Sequence, residues 1–259
     1  MMAVSFVMNS CGEKEKPAPV AGGLQITFNH VVDNQPLVLN EMKYTNAADN
    51  PYEVTEVMYF ISELKLYKQD GIVVIPDQWN NLHYADSRYT ETLIWNAGNN
   101  IPPGTYDSLT FTFGLSEEIN KSFMFVNPPE VNMAWPQALG GGYHYMMLNG
   151  FWRDTLDKRR SFNFHLGIGQ IYANNSGHVE DITGFVHNNF TVKPAGQAFT
   201  VAEGKTLKLA LTMHIDSWFN TPFVYDHNQW GGAIMQNQEA MHMACVNGRD
   251  AFTFEIVTE

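Results

Sequence analysis

The chain has 259 residues, of which 44% are hydrophobic and 13% aromatic, and it carries a formal net charge of −12. That composition supports a packed core rather than disorder. The acidic balance excludes the basic footprint that nucleic acid or an anionic lipid surface requires, and no apolar run reaches the ~18–20 residues of a membrane-spanning helix.

Read in chain order, Met1 to Met8 form a short apolar stretch, and Ser10 places a small residue before Cys11. The pattern reads as a lipoprotein signal whose Cys11 is acylated and becomes the mature N-terminus, although Lys and Arg are missing ahead of it. Gly12 to Pro19 is charged and proline-containing, as a tether would be. Residues 1–23 are therefore taken as signal remnant and tether, and residues 24–259 as one folded domain. With Cys11 lipidated, Cys245 has no thiol to pair with in the chain, and stability rests on core burial.

Period-2 alternation dominates the chain beyond the tether. Leu24, Ile26, Phe28 and His30 share one face, and Leu109, Phe111 and Phe113 repeat the pattern. Leu207 to Ile215 and Phe252 to Ile256 alternate in the same way. Turn signals separate these runs, among them Asp70-Gly71, Pro102-Pro103-Gly104, Gly140-Gly141-Gly142 and Asn175-Ser176-Gly177. The expectation is an all-β fold, an antiparallel β-sandwich of Ig-like or Greek-key type. A helical turn is expected at Ser116-Glu117-Glu118. One helix is expected near the C-terminus, between Gly232 and Asn247, where Ile234, Met241 and Cys245 recur at helical spacing.

Nine His and 13 Met in an acidic, exported chain raise a copper hypothesis, since imidazole and thioether both suit that metal. Phe162, Phe164 and Leu166 should share a core face, so His165 points away from it or sits at the strand end beside Gly167. His30 falls on the apolar face of the first strand, where a hydrogen-bonded core role is the ordinary one. His144 lies among aromatics close to Trp135, and His178 and His227 read as loop residues. On a helix Met241 and Cys245 share a face while His242 points aside, so that cluster packs rather than chelates. Trp79, Trp95, Trp152, Trp218 and Trp230 could form a glycan platform, but their scatter reads as core. The sequence carries no nucleophile elbow, phosphate loop or H-E-x-x-H motif, and no enzyme is expected.

Several short motifs recur in a fixed order: Phe28-Asn29-His30, Gln35-Pro36-Leu37, Tyr44-Thr45-Asn46-Ala47, Tyr59-Phe60-Ile61-Ser62 and Pro103 to Ser108. Asn132 to Pro136, Gly142-Tyr143 and Ser161 to Gly167 complete the series. Together, from about Leu24 to about Phe254, they resemble the MbnP-like family of methanobactin-associated periplasmic copper-binding proteins. The acidic tether after Cys11 resembles Bacteroidetes surface lipoproteins.

The resemblance implies a non-catalytic, lipid-anchored copper protein of the periplasm or outer-membrane surface, touching membrane only through its anchor. It implies His165 as a ligand, with a second His, and Trp135 beside the metal in an open site that exchanges copper; from this chain's own residues, His144 or His30 is the candidate for that second His. It also implies a di-haem peroxidase-like partner that oxidises the tryptophan in some members. This chain departs from the pattern, with Gln137 where a second Trp is often found and no His at Glu130, Val131 or Asn132. Trp135 is therefore expected to be unmodified. The alternative is a surface binding module for glycan, peptide or a partner lipoprotein that has lost its metal.

Overall fold

A computed structural model describes residues 18–76 and 81–258. Cys11, with its expected acylation, and Trp79 lie outside the described residues.

The first alternating run becomes β1 (Gly22–Val32), which buries Leu24, Ile26 and Phe28. The two-residue strands β2 (Gln35–Pro36) and β3 (Tyr44–Thr45) precede β4 (Pro51–Lys68), the longest strand described. Then come β5 (Val73–Val74), β6 (Leu82–Asp86), β7 (Ile94–Ile101) and β8 (Gly104–Phe113). A segment of turns and short 3-10 pieces, 114–145, leads into β9 (Met146–Arg153) and β10 (Arg159–Leu166). The hairpin of β11 (Ile168–Tyr172) and β12 (Ile182–His187) is next, then β13 (Phe190–Val192), β14 (Phe199–Val201) and β15 (Thr206–His214). Three helices, α1 (Ser217–Asn220), α2 (His227–Trp230) and α3 (Gln238–Gly248), separate β15 from β16 (Phe252–Ile256).

Two sheets form the sandwich. One runs β16–β15–β1, with β7 and β2 pairing along β1 as well. The other runs β10–β9–β4–β8–β13, and β14 also pairs with β8. Aromatic side chains close the space between them: Phe28 meets Tyr59 at 6.1 Å, Phe111 meets Phe252 at 5.2 Å and Phe199 meets Phe254 at 5.8 Å. The expected sandwich stands. One pairing inside it differs from the antiparallel expectation, because β1 lies parallel to β15, with Leu24 opposite Leu207. A parallel pair needs a crossover, and here most of the other sheet supplies it.

The middle of β4 is buried on both faces, from Val57 to Ser62. Its inward face meets the first sheet, and its outward face is covered by segment 114–145. Phe60 stacks on Phe125 at 5.3 Å and meets the edge of Tyr143 at 6.3 Å. Tyr145 ties the end of that cover to the sheet, donating its N–H to Leu166 O and accepting from Phe60 N.

The C-terminal helix starts later than its apolar spacing suggested. Gly232 O accepts from Asn163 N, and Ala233 bridges to Asn163, so Gly232 and Ala233 lie along the edge of β10. Helix α3 begins only where the Asn237 side chain accepts from Ala240 N. Met241 and Cys245 are buried on it, and His242 is exposed. At Ser116 a single turn forms, with Asn120 N bonded to Ser116 O at 2.8 Å.

Candidate metal centre

Period-2 geometry builds the floor of the site. In register, β4, β9 and β10 place Met58, Met147 and His165 side by side, and Glu56, Asn149 and Asn163 in the adjacent row. Directly paired residues share a face, so both rows lie on the outward side while Phe162, Phe164 and Leu166 are buried in the core. His165 therefore leaves the core face, as its alternation predicts. It is nevertheless only 7% exposed, because segment 114–145 closes over it.

That cover brings two of the expected residues. Ala134 bridges to Tyr143, Trp135 N donates to Gly142 O at 2.8 Å, and His144 N donates to Met133 O at 2.7 Å. This short ladder sets Trp135 and His144 beside each other, with ring centroids 4.6 Å apart at 71°. His144 meets His165 edge to face, with centroids 5.0 Å apart at 88°. The Trp135 indole N–H donates to Leu139 O at 3.1 Å. Gly167 completes the fit, since a Cβ there would come within 2.6 Å of the indole ring.

The two imidazoles have fixed protons. His144 Nδ1 lies 2.9 Å from Met133 O, which can only accept, so Nδ1 carries the hydrogen. His165 Nε2 lies 2.7 Å from Asn149 Oδ1, also an acceptor, so its hydrogen sits on Nε2. The remaining nitrogens, His144 Nε2 and His165 Nδ1, are buried without a hydrogen-bond partner. Two neutral rings in contact thus each keep an unused lone pair. Burial lowers the His144 pKa to about 4. Burial, with His144 adding to it, lowers His165 to about 3.

His30 is not part of this cluster. Its Nε2 pairs with the Tyr59 hydroxyl at 3.1 Å, the partner a core histidine needs. The expectation of His30 as a ligand is corrected to a packing role, with burial lowering its pKa to about 4 against a smaller opposing effect of Asp86. His227 is corrected as well. It opens α2 and is fully buried against Trp152 and Phe162, whereas His178 is exposed. Trp95, Trp152 and Trp218 are buried and build no surface platform. Asn149 went unrecognised in the sequence. Its only signal is a polar residue alternating with Leu148, which many solvent-facing strand positions share.

The open site expected from the resemblance is also corrected, since Trp135, His144 and His165 are all buried. Among the described residues no group of three or more His, Cys, Asp or Glu could hold a metal ion; the imidazoles brought together here are those of His144 and His165. Those donors fit copper, for which imidazole nitrogen is a good ligand.

The MbnP family model matches residues 21–239. The chain belongs to the MbnP family. Its fold is similar to a solved structure, MbnP from Methylosinus trichosporium, at a TM-score of 0.55 and 14% identity. The similarity covers 92% of this chain and 99% of that one. No curated protein matches. The MbnP family is associated with copper, and in this member the His144 ring, whose Nε2 has no hydrogen-bond partner, packs between Trp135 and His165.

Proposed function

We propose that this MbnP-family chain is a non-catalytic copper-binding protein of the cell envelope, holding its cargo between His144 Nε2 and His165 Nδ1. One observation carries the reading: two buried imidazoles in contact, each with its other nitrogen committed to an acceptor, leave two lone pairs with no hydrogen to share. An unsatisfied buried acceptor costs about 1–3 kcal/mol, and a bound cation removes that cost for both. Trp135 closes one side of the pair, excludes water and presents an electron-rich ring to the metal. Acylation of Cys11 would hold the protein at a membrane, and the di-haem peroxidase-like enzyme implied by the resemblance would be its partner.

Titration with copper tests this in purified full-length chain, in the cuprous state under reductant and in the cupric state without it. Wild type is expected to bind one equivalent. His165→Ala and His144→Ala should each lose at least tenfold in affinity, while His178→Ala, an exposed change, should lose none. Equal affinity in wild type and His165→Ala would remove the site. The runner-up, a surface module without metal, would then lead, supported by the exposure of Phe123 and Val126 at 79% and 77%.

A further inference from the structure

Behind His165 a chain of charged and polar groups runs to the surface. Asn149 Nδ2 donates to Glu56 Oε1 at 2.6 Å, from directly across the β4–β9 pair. The other oxygen, Glu56 Oε2, meets Arg88 Nη1 at 2.5 Å. Arg88 is held in turn by Asp86, which is fully buried: Nε reaches Oδ1 at 3.0 Å and Nη2 reaches Oδ2 at 2.9 Å. Arg88 Nη2 also lies 3.0 Å from the Met58 sulfur, in the row that contains His165. Burial raises the Asp86 pKa, but its bonds to Arg88 outweigh that and hold it below the usual carboxylate value.

The direction of this chain is determined at its ends. A guanidinium can only donate and a carboxylate can only accept. Glu56, facing Arg88 on one side, must therefore accept from Asn149 on the other. The Asn149 amide then has one orientation, with Nδ2 toward Glu56 and Oδ1 toward His165. An accepting Oδ1 requires the His165 hydrogen on Nε2, which leaves Nδ1 bare at the site. Were the amide reversed, Nδ2 would donate to Nε2, the hydrogen would move to Nδ1, and the ligating atom would be blocked.

We propose that Arg88, Glu56 and Asn149 form a polarised relay that locks His165 in the Nε2–H tautomer, making Glu56 and Asn149 positioning residues for the metal centre. This rests on the copper reading for its purpose, but the tautomer is a property of the metal-free protein. Partners behind a ligating imidazole are typically worth about 10–100-fold in metal affinity.

The test is nitrogen-15 NMR of the imidazole rings in full-length, metal-free protein, paired with copper titration. In wild type, His165 should show a protonated Nε2 and an unprotonated Nδ1. Glu56→Gln keeps the size but permits the middle amide to reverse. It should raise the population protonated at Nδ1 and weaken copper by about 10–100-fold. Asn149→Leu, which removes the acceptor, should do the same while His144 keeps its tautomer. A wild-type His165 protonated at Nδ1 would overturn the relay without any variant. So would Glu56→Gln with unchanged tautomer and unchanged affinity. If wild type binds no copper yet the tautomer shifts in Glu56→Gln, the copper reading falls and the lock stands.

Discussion

At the scale of single residues, the chemistry of this protein depends on where hydrogens sit. His144 and His165 are ordinary imidazoles until Met133 O and Asn149 Oδ1 claim one nitrogen each. Burial then lowers both pKa values, to about 4 and about 3. Read from the sequence, copper binding should weaken below the ordinary imidazole pKa of about 6.5. The structure moves that window. A proton competes with the metal only when it can occupy the lone pair, so affinity should stay level from pH 7 to about 5 and fall as pH drops through about 4. Titrations at stepped pH check this, and a midpoint for copper loss near 6.5 would contradict it. His165 was legible as a candidate because its alternation takes it off the core face. Asn149 was not, because periodicity reports which side a residue faces and not what it touches there.

At the scale of elements, the site is a sheet floor with a loop roof. The floor derives from strand pairing, and its rows could be written down once β4, β9 and β10 are known to be neighbours. The strands themselves were legible where alternation is clean, in Leu24 to His30, Leu109 to Phe113, Leu207 to His214 and Phe252 to Ile256. The neighbours were not, since β1 and β15 pair across some 180 residues of chain, and period-2 patterns carry no address. The start of α3 was misplaced for a related reason, because Gly232 and Ala233 are engaged by Asn163 on a strand far away in sequence. The roof, 114–145, has consequences for kinetics. With Trp135, His144 and His165 buried, the proposed site can take up metal only when that cover opens. Stopped-flow uptake, followed by Trp fluorescence, should therefore reach a rate that no longer rises with copper concentration. Uptake that stays first order in copper up to the fastest measurable rates would show that the site is open in solution.

For the whole molecule, five histidines with lowered pKa values set the response to acid. Burial holds His30, His83 and His144 near pKa 4 and His165 and His227 near 3, all below the unfolded value of about 6.5. The unfolded chain therefore binds more protons than the folded one between those limits. The contribution of these groups to stability is complete above about pH 6.5 and is lost as pH falls toward 4. His227 is the clearest case, with both ring nitrogens unpartnered inside an aromatic shell of Trp152, Phe162, Phe219 and Tyr225. Denaturant midpoints measured from pH 8 to pH 4 should fall steeply below 6.5. Replacing His227 with Phe should flatten the slope, since one titrating group is lost. A midpoint independent of pH across that range would show that these rings exchange protons freely in the folded state.

Whether His144 and His165 hold copper beside Trp135 is decided by anomalous diffraction at the copper edge from crystals of loaded full-length protein. One peak is expected between His144 Nε2 and His165 Nδ1, about 2.0 Å from each, and it should disappear in His165→Ala. A peak at any other place, or copper-loaded crystals with nothing between those two nitrogens, would contradict the assignment.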